Sequence, residues 1–177
     1  MSYRIAAEWM GATVETLADL LPESPRAVIV GVNPAPSSVE AGHYYQGQLG
    51  QRLWQRLTRC GLVAIAGGQW EDDAAVSAGF GLTDVVKRPT PTADALLPGE
   101  REYGAALLRE KLCAVGPAAV IFTFKDAANA MVGPIRGIGW IDGLTLAGAG
   151  VFVMPGPYEA RPKVDQALTA LAARLDR

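Results

Sequence analysis

Histidine and cysteine are scarce in this chain of 177 residues, which contains one histidine, His43, and two cysteines, Cys60 and Cys113. A structural zinc site needs about four such ligands at close spacing, so we expect neither a metal nor another cofactor. A disulfide between the two cysteines is compatible with the count. However, Glu8 lies where a secretory signal peptide would be apolar, so nothing favours an oxidising compartment.

Long apolar runs are also missing, and none approaches the roughly 18 residues of a membrane-spanning helix. We therefore expect a cytoplasmic protein with no membrane partner. Because domains usually contain roughly 100 to 200 residues, the length predicts one domain over 1–177, and we expect a monomer.

The charge balance gives no sign of a basic protein, since 16 Lys and Arg face 18 Asp and Glu and the net charge is −2. This argues against an overall basic surface for nucleic acid. The charge is uneven, however: residues 26–70 and 111–177 carry +3 and +2, whereas 1–25 and 71–110 carry −3 and −4. Any surface for a polyanion must be local.

Apolar runs typical of buried strands alternate with helical patterns along the chain. Continuous runs rich in β-branched residues, as in parallel strands covered on both faces, occupy 27–32, 79–86, 118–124 and 151–154. Helical patterns occupy 14–21, 49–59, 98–115, 125–131 and 163–175. The alternation predicts a three-layer α/β/α sandwich around a central, mainly parallel four-stranded sheet, with an N-terminal helical segment, 1–25, packed on it.

The predicted carboxyl ends of these strands carry unusual residues. They are Asn33 with the Pro-rich stretch 34–38, then Asp84, then Lys125, and finally 156–161. Ligands of such folds bind beyond the carboxyl ends of the strands. We therefore expect these four groups to share one cleft.

Four segments occur in a recognisable order. They are Gly31-Val32-Asn33-Pro34, then Gly42-His43-Tyr44-Tyr45 before the helix with Trp54, then Leu82 to Thr90, and last Phe122 to Lys125 with Val153 to Arg161. Over about residues 17–175 the chain resembles the mismatch-specific uracil and thymine-DNA glycosylase family of the uracil-DNA glycosylase superfamily.

That resemblance implies the fold of those enzymes and a role in bacterial-type base excision repair, with DNA containing uracil or a mismatched or damaged base as the partner. The implied reaction hydrolyses the N-glycosidic bond of a flipped deoxynucleotide and leaves an abasic site. Flipping is needed because a base inside the duplex is unreachable. Uracil is the expected base, whereas thymine, hypoxanthine and ethenocytosine stay open.

The resemblance implies catalytic roles for Asn33 and Asp84. Asn33 lies where the family positions the attacking water. An amide cannot act as a general base, so without another base turnover would lose the ~10²–10⁴-fold that such a group supplies. Asp84 replaces the Asn or Lys of relatives at a base-contacting position, and its ionised form would repel charge developing on the base. A raised pKa, or a role as general base, would resolve this conflict.

The resemblance also implies the walls of the base pocket. Tyr45 matches the aromatic residue that stacks on the flipped base, and Val32 belongs to the same pocket. Ser38 lies where a small side chain leaves room at the C5 edge of the base. Gly156 stands where relatives have Asn or Ser, so one side-chain contact is missing. The structural alternatives are core packing for Tyr45, turn roles for Asn33 and Ser38, and capping of the next turn for Asp84.

Contacts to DNA are predicted at four residues. Tyr158 and Arg161 are candidates to fill the gap left by the flipped nucleotide, while Arg52 and Lys125 are candidates for phosphate contacts. His43 lies outside the later loop that carries the superfamily's catalytic histidine, which argues against a catalytic role.

Two other function classes remain open. A nucleoside or nucleotide hydrolase on the same fold would use the pocket without the DNA contacts. A protein that recognises a modified base without cleaving it would fit the glycine at position 156 and the acidic net charge.

Overall fold

A computed structural model describes residues 2–176. Its strands are β1 (Arg4–Trp9), β2 (Ala12–Leu17), β3 (Ala27–Gly31), β4 (Phe80–Asp84), β5 (Ala119–Phe122), β6 (Gly139–Leu146) and β7 (Ala149–Val153). Its α-helices are α1 (Pro36–Ala41), α2 (Gln48–Arg59), α3 (Glu71–Ser77), α4 (Glu100–Val115), α5 (Lys125–Val132) and α6 (Arg161–Leu175). A short 3₁₀ turn covers Ala93–Ala95.

The central sheet has the strand order β4-β3-β5-β7-β6. The strands β4, β3, β5 and β7 are parallel, as predicted, and β6 is a fifth, antiparallel strand at the edge. The apolar pattern does not predict β6, because most of its residues are exposed or only half-buried. A bulge between Trp140 and Thr145 further interrupts its pattern.

The predicted helix over 14–21 is wrong, and with it the helical character of the N-terminal segment. Residues 4–17 form the β1–β2 hairpin, which turns at Met10 and Gly11 with φ of 50° and 83°. Two consecutive positive φ angles suit the tight turn of a twisted hairpin. Leu17 fits a helical apolar spacing, yet it is buried as a strand residue and contributes to the core. Packing has overridden the local pattern.

Two apolar cores cover the two faces of the sheet. Ile29, which points to one face of β3, packs with residues of α1, α2, α3 and α6. Its neighbours Val28 and Val30 point to the other face, where α4, α5 and Trp9 of the hairpin cover them. The three-layer α/β/α sandwich is therefore confirmed. Within residues 2–176 no helix combines the length and the apolar character needed to cross a membrane.

Candidate functional site

A cavity of about 560 Å³ opens at the carboxyl ends of β3, β4 and β5. This volume lies within the usual range of small-molecule pockets, roughly 300 to 1,000 Å³. The cavity is lined by five of the residues singled out in the sequence, namely Val32, Asn33, Ser38, Tyr45 and Asp84. Three segments complete the wall: 44–50 before and within the start of α2, 90–93, and the stretch from the end of β5 to the start of α5, where Thr123, Phe124 and Asp126 contribute. The fold therefore brings most of the predicted base-pocket residues together.

Asn33 is held so that one side of its amide is occupied and the other is open. Its Nδ2 donates to the Thr90 hydroxyl at 2.8 Å and to the Pro34 carbonyl at 3.2 Å. The Thr90 hydroxyl in turn donates to the Thr92 carbonyl at 2.6 Å. Among residues 2–176, no donor reaches Asn33 Oδ1. That oxygen is left to accept a hydrogen bond from a molecule in the cavity.

The segment that carries Thr90 is anchored by a buried carboxylate. Glu100 accepts two hydrogen bonds from Arg88, at 2.8 and 2.6 Å. It accepts two more, from the Trp9 indole at 2.9 Å and from the Leu97 amide at 2.7 Å. These bonds, those from Arg88 first, lower the pKa of Glu100 to about 2. Thr90, the partner of Asn33, therefore lies on a firmly fixed loop. Nothing in the sequence indicated this contact, although Thr90 ends one of the four segments that carry the resemblance.

Asp84, the last residue of β4, is 3% exposed. Its Oδ1 is buried and accepts no hydrogen bond from the described residues. Burial raises the pKa of this carboxyl to about 7, while Lys87 lowers it and Asp19 raises it further. A buried carboxylate oxygen without a partner costs stability, and a carboxyl that titrates near neutral pH in a cleft is a candidate acid or base.

Tyr45 and Asp84 meet above Gly31. A Cβ atom at Gly31 would lie 2.0 Å from Asp84 Oδ1 and 3.0 Å from the Tyr45 hydroxyl, so only glycine fits. The Tyr45 hydroxyl is buried and has no partner among residues 2–176. Burial, then the charge of Asp84, raises the pKa of Tyr45 well above its usual value, which keeps the phenol neutral.

The backbone of Tyr45 is held in an unusual conformation by the neighbouring helix. Its φ is 57°, in the left-handed region that is strained for a side chain other than glycine. A Cβ atom at Gly50 would lie 2.2 Å from the Tyr45 carbonyl oxygen, so α2 approaches this residue closely. The Tyr45 ring meets Trp54 edge to face at 5.8 Å. The half-buried ring is thereby fixed as one wall of the cavity.

His43 supports the same loop from outside the cavity. Its Nδ1 lies 2.8 Å from Asp72 Oδ1, and Asp72 Oδ2 accepts the Tyr44 amide at 2.8 Å. Trp70 stacks on the imidazole with the ring centroids 4.0 Å apart. Asp73 is close enough to join His43 and Asp72 as a third metal ligand, but it already accepts the Tyr3 hydroxyl. The cluster thus anchors the 44–50 loop from outside the cavity.

Two smaller predicted pocket residues are also buried. Val32 is 7% exposed and Ser38 is 3% exposed, and both line the cavity. The Ser38 Oγ accepts the Gln46 amide at 3.0 Å, so the hydroxyl also fixes the 44–50 loop. Gly156 differs: it does not line the cavity, although its carbonyl is bound by Arg56 at 2.9 Å.

Arg52 holds the loop after β7 rather than pointing freely to solvent. It donates to the Pro157 carbonyl at 3.2 Å, and its guanidinium lies 5.6 Å from the centre of the Tyr158 ring. Tyr158 is 89% exposed. The phosphate contact of Arg52 stays a prediction, and the structure gives this side chain a loop-holding role that the sequence did not indicate.

Lys125 and Arg161 are the first residues of α5 and α6, and both are exposed. Arg161 lies 3.8 Å from Asp165, a weak contact between exposed side chains. Neither residue lines the cavity. Their contacts to DNA stay predictions. Cys60 and Cys113 are both free thiols, so the disulfide that the count allowed is not formed.

The chain matches one family model over residues 18–166, described as the uracil DNA glycosylase superfamily. It is also similar to a G/U mismatch-specific uracil DNA glycosylase of Schizosaccharomyces pombe, with 30% identity over 113 residues. That match covers 63% of this chain and 34% of the relative, so the chain corresponds to only part of that protein.

Proposed function

Because the chain belongs to the uracil DNA glycosylase superfamily, we propose that it is a DNA glycosylase that releases uracil from DNA. The product is an abasic site, and no second activity on the DNA strand is assigned. The observation that carries the proposal is the shared cavity of Asn33, Tyr45 and Asp84 at the carboxyl edge of the sheet. Base release from a flipped nucleotide needs an acceptor that orients water, an aromatic face for stacking and a group that exchanges protons near neutral pH. Asn33, Tyr45 and Asp84 have the chemistry for these three tasks.

Binding begins with extrusion of the nucleotide from the helix, which costs a few kcal/mol and least at a mismatch. The Tyr45 ring offers a face on which the flipped base can stack, worth about 1 to 3 kcal/mol. The buried Val32 and Ser38 limit the depth of the pocket. Stacking offsets much of the extrusion cost. Because a mismatched base costs least to extrude, a G·U pair is the favoured duplex substrate.

In the chemical step, Asn33 Oδ1 accepts a hydrogen bond from a water and orients it toward C1′ of the deoxyribose. Asp84 takes a proton from that water as the oxygen–carbon bond forms. The C1′–N bond breaks, and its electron pair leaves with the base. Because the pKa of Asp84 is raised to about 7, the group accepts a proton readily at neutral pH. The proposal therefore takes Asp84 as the general base, in preference to a contact with the flipped base.

The exposed Tyr158 is the proposed wedge that fills the space of the flipped nucleotide. Aromatic and apolar side chains play this part in distorted duplexes. Arg52 and Arg56 stabilise the wedge loop through carbonyls of Pro157, Pro155 and Gly156. Lys125 and Arg161 are the proposed phosphate contacts, so binding should weaken as salt rises.

The proposal is tested with labelled oligonucleotides that carry uracil as a single strand, opposite guanine or opposite adenine, and thymine opposite guanine. Strand cleavage after alkali reports base release, and binding is measured in parallel at low salt. Asp84→Asn should slow release by ~10²–10⁴-fold, and Asn33→Ala should slow it by ~10²-fold because the attacking water is no longer positioned. The exposed carboxylate variant Asp142→Asn should not slow release.

Retention of uracil DNA without cleavage would instead indicate a protein that recognises the base and leaves it in place. Release of uracil from free deoxyuridine, with no preference for DNA, would indicate a nucleoside hydrolase. A protein that neither binds nor cleaves any of these strands at low salt would contradict the proposed function.

A further inference from the structure

A second cavity, of about 150 Å³, lies behind Asp84. It is enclosed by the β1–β2 hairpin, the end of β4 and one side of α4. Leu17 and Asp84 line both this cavity and the candidate active site, so these two residues form the partition between them. Thr16 also lines the rear cavity, and its hydroxyl is buried without a partner among the described residues. Asp84 therefore has a polar environment on its rear side as well.

Four residues of an ion cluster line this rear cavity together with Asp84, namely Asp19, Thr83, Lys87 and Lys111. Asp19, in the segment after β2, accepts the Thr83 hydroxyl at 2.5 Å and the Lys111 ammonium of α4 at 2.6 Å. Lys87 donates to Asp19 and to the Thr83 hydroxyl, the latter at 3.2 Å. The side chains of Asp19 and Lys87 are only 15% and 13% exposed. The cluster thus joins the segment after β2, the end of β4 and helix α4. Its member Thr83 directly precedes Asp84 in β4.

We propose that Asp19, Lys87 and Thr83 are positioning residues for Asp84. Asp19 and Thr83 hold the Lys87 ammonium group on the rear side of the Asp84 carboxyl, and the negative charge of Asp19 partly offsets it. This arrangement keeps Asp84 ready to accept a proton when a nucleotide fills the front cavity. The proposal rests on the proposed function, because it assigns Asp84 as the base. It gives the N-terminal segment a part in catalysis although that segment does not touch the reacting atoms.

The need for such a device follows from burial. A flipped nucleotide excludes water from the front of Asp84, which further disfavours the charged form of a carboxyl that is already 3% exposed. A cation held behind the carboxyl opposes this effect, and it acts more strongly where water is excluded. Lys87 is the positive charge that lowers the pKa of Asp84, after the larger opposing effect of burial.

The other titratable groups around Asp84 do not supply this charge, and Glu8 of β1, which also lines the rear cavity, is an acid. Tyr44 and Tyr45, from the loop before α2, are neutral phenols because burial raises the pKa of each well above its usual value. Asp19 raises the pKa of Asp84, which moderates Lys87. Burial opposes ionisation of Asp19, but Lys87 and Lys111 outweigh it and lower its pKa, so Asp19 stays charged. Lys111 contacts Asp19 and not Asp84.

The test is the pH dependence of base release in single turnovers on a G·U duplex. Lys87→Met should move the acid limb upward by about one pH unit, and thus slow release about tenfold on that limb while the plateau at high pH is kept. Asp19→Asn should move the limb in the opposite direction. Lys87→Arg keeps the charge and should leave the limb in place, as should Asp142→Asn on the exposed edge strand.

A merely structural role predicts a different result, namely lower plateaus with an unmoved limb, or limbs displaced in the same direction by both variants. Either result overturns the proposal. A second readout needs no DNA: the ¹³C resonance of the Asp84 carboxyl, identified by its loss in Asp84→Asn, should titrate with the same opposite shifts. If the wild type releases no base, the proposed function fails, while this titration still decides whether the cluster controls Asp84.

Discussion

The titration of Asp84 gives a prediction that separates its two candidate roles. As a general base the carboxyl works only when it is ionised, so base release should rise with pH through about 7 and then level. If one group controls the rate, each pH unit below its pKa removes about nine tenths of the ionised form, and the rate falls in proportion. At about pH 6 the rate should thus be roughly a tenth of the plateau, and at about pH 5 roughly a hundredth.

The assay is single-turnover release of uracil with enzyme in excess, so that slow product release does not hide the chemical step. Binding of the duplex must be measured at each pH, since a loss of binding would imitate the limb. Asp84→Asn should be slow and independent of pH over the same range.

A rate that falls as the pH rises through 7 would refute this reasoning. In that case the protonated carboxyl would be the active form, donating a hydrogen bond to the base. A flat profile in the wild type would remove Asp84 from the chemical step altogether.

Three further predictions follow from the geometry. Gly31→Ala places a Cβ atom 2.0 Å from Asp84 Oδ1, so the carboxyl must move and release should slow by ~10²-fold or more in the same assay. Tyr45→Phe keeps the stacking ring and should slow release less than about threefold, whereas Tyr45→Ala should slow it about 10- to 100-fold. Glu100→Gln removes a carboxylate whose pKa is lowered to about 2, and should reduce the free energy of unfolding by about 3 kcal/mol at neutral pH in urea titrations.

The controls differ for each prediction. Gly67→Ala is the match for Gly31→Ala, because a Cβ atom there meets nothing within 4 Å. If both glycine variants lose activity equally, the clash is not the cause. For Glu100 the stabilising effect is complete above its ordinary pKa of 4.5 and is lost as the pH falls toward about 2. The wild type and Glu100→Gln should therefore converge in stability in acid, and parallel curves would contradict the assignment.

The sequence predicted the parallel core of the fold because each buried strand is visible as a short, continuous apolar run. The runs at 27–32 and 118–124 are apolar on both faces, as strands between two helical layers must be. The predicted helices over 49–59 and 98–115 begin within two residues of the observed α2 and α4. The hairpin at the N-terminus was not predictable in the same way, because the spacing of Val14 and Leu17 suits a helix as well as a partly exposed strand.

The candidate site was predicted as a set of positions but not as an environment. Parallel strands end at one edge, so Asn33 and Asp84 had to lie near each other once the sheet was assigned. Their chemical state depends on contacts that no local pattern carries. The free oxygen of Asn33 results from Thr90, 57 residues away, which occupies the opposite side of the amide.

Asp84 illustrates the remaining difficulty most directly. An aspartate at a strand end is equally suited to capping a turn, and only burial distinguishes that role from catalysis. Its surroundings come from Gly31, from the Tyr45 loop and from the Asp19–Lys87 cluster, which are separated widely along the chain. Because desolvation is set by all of these together, the raised pKa is a property of the folded chain. The role of a residue such as Asp84 can therefore be assigned only when its neighbours in space are known.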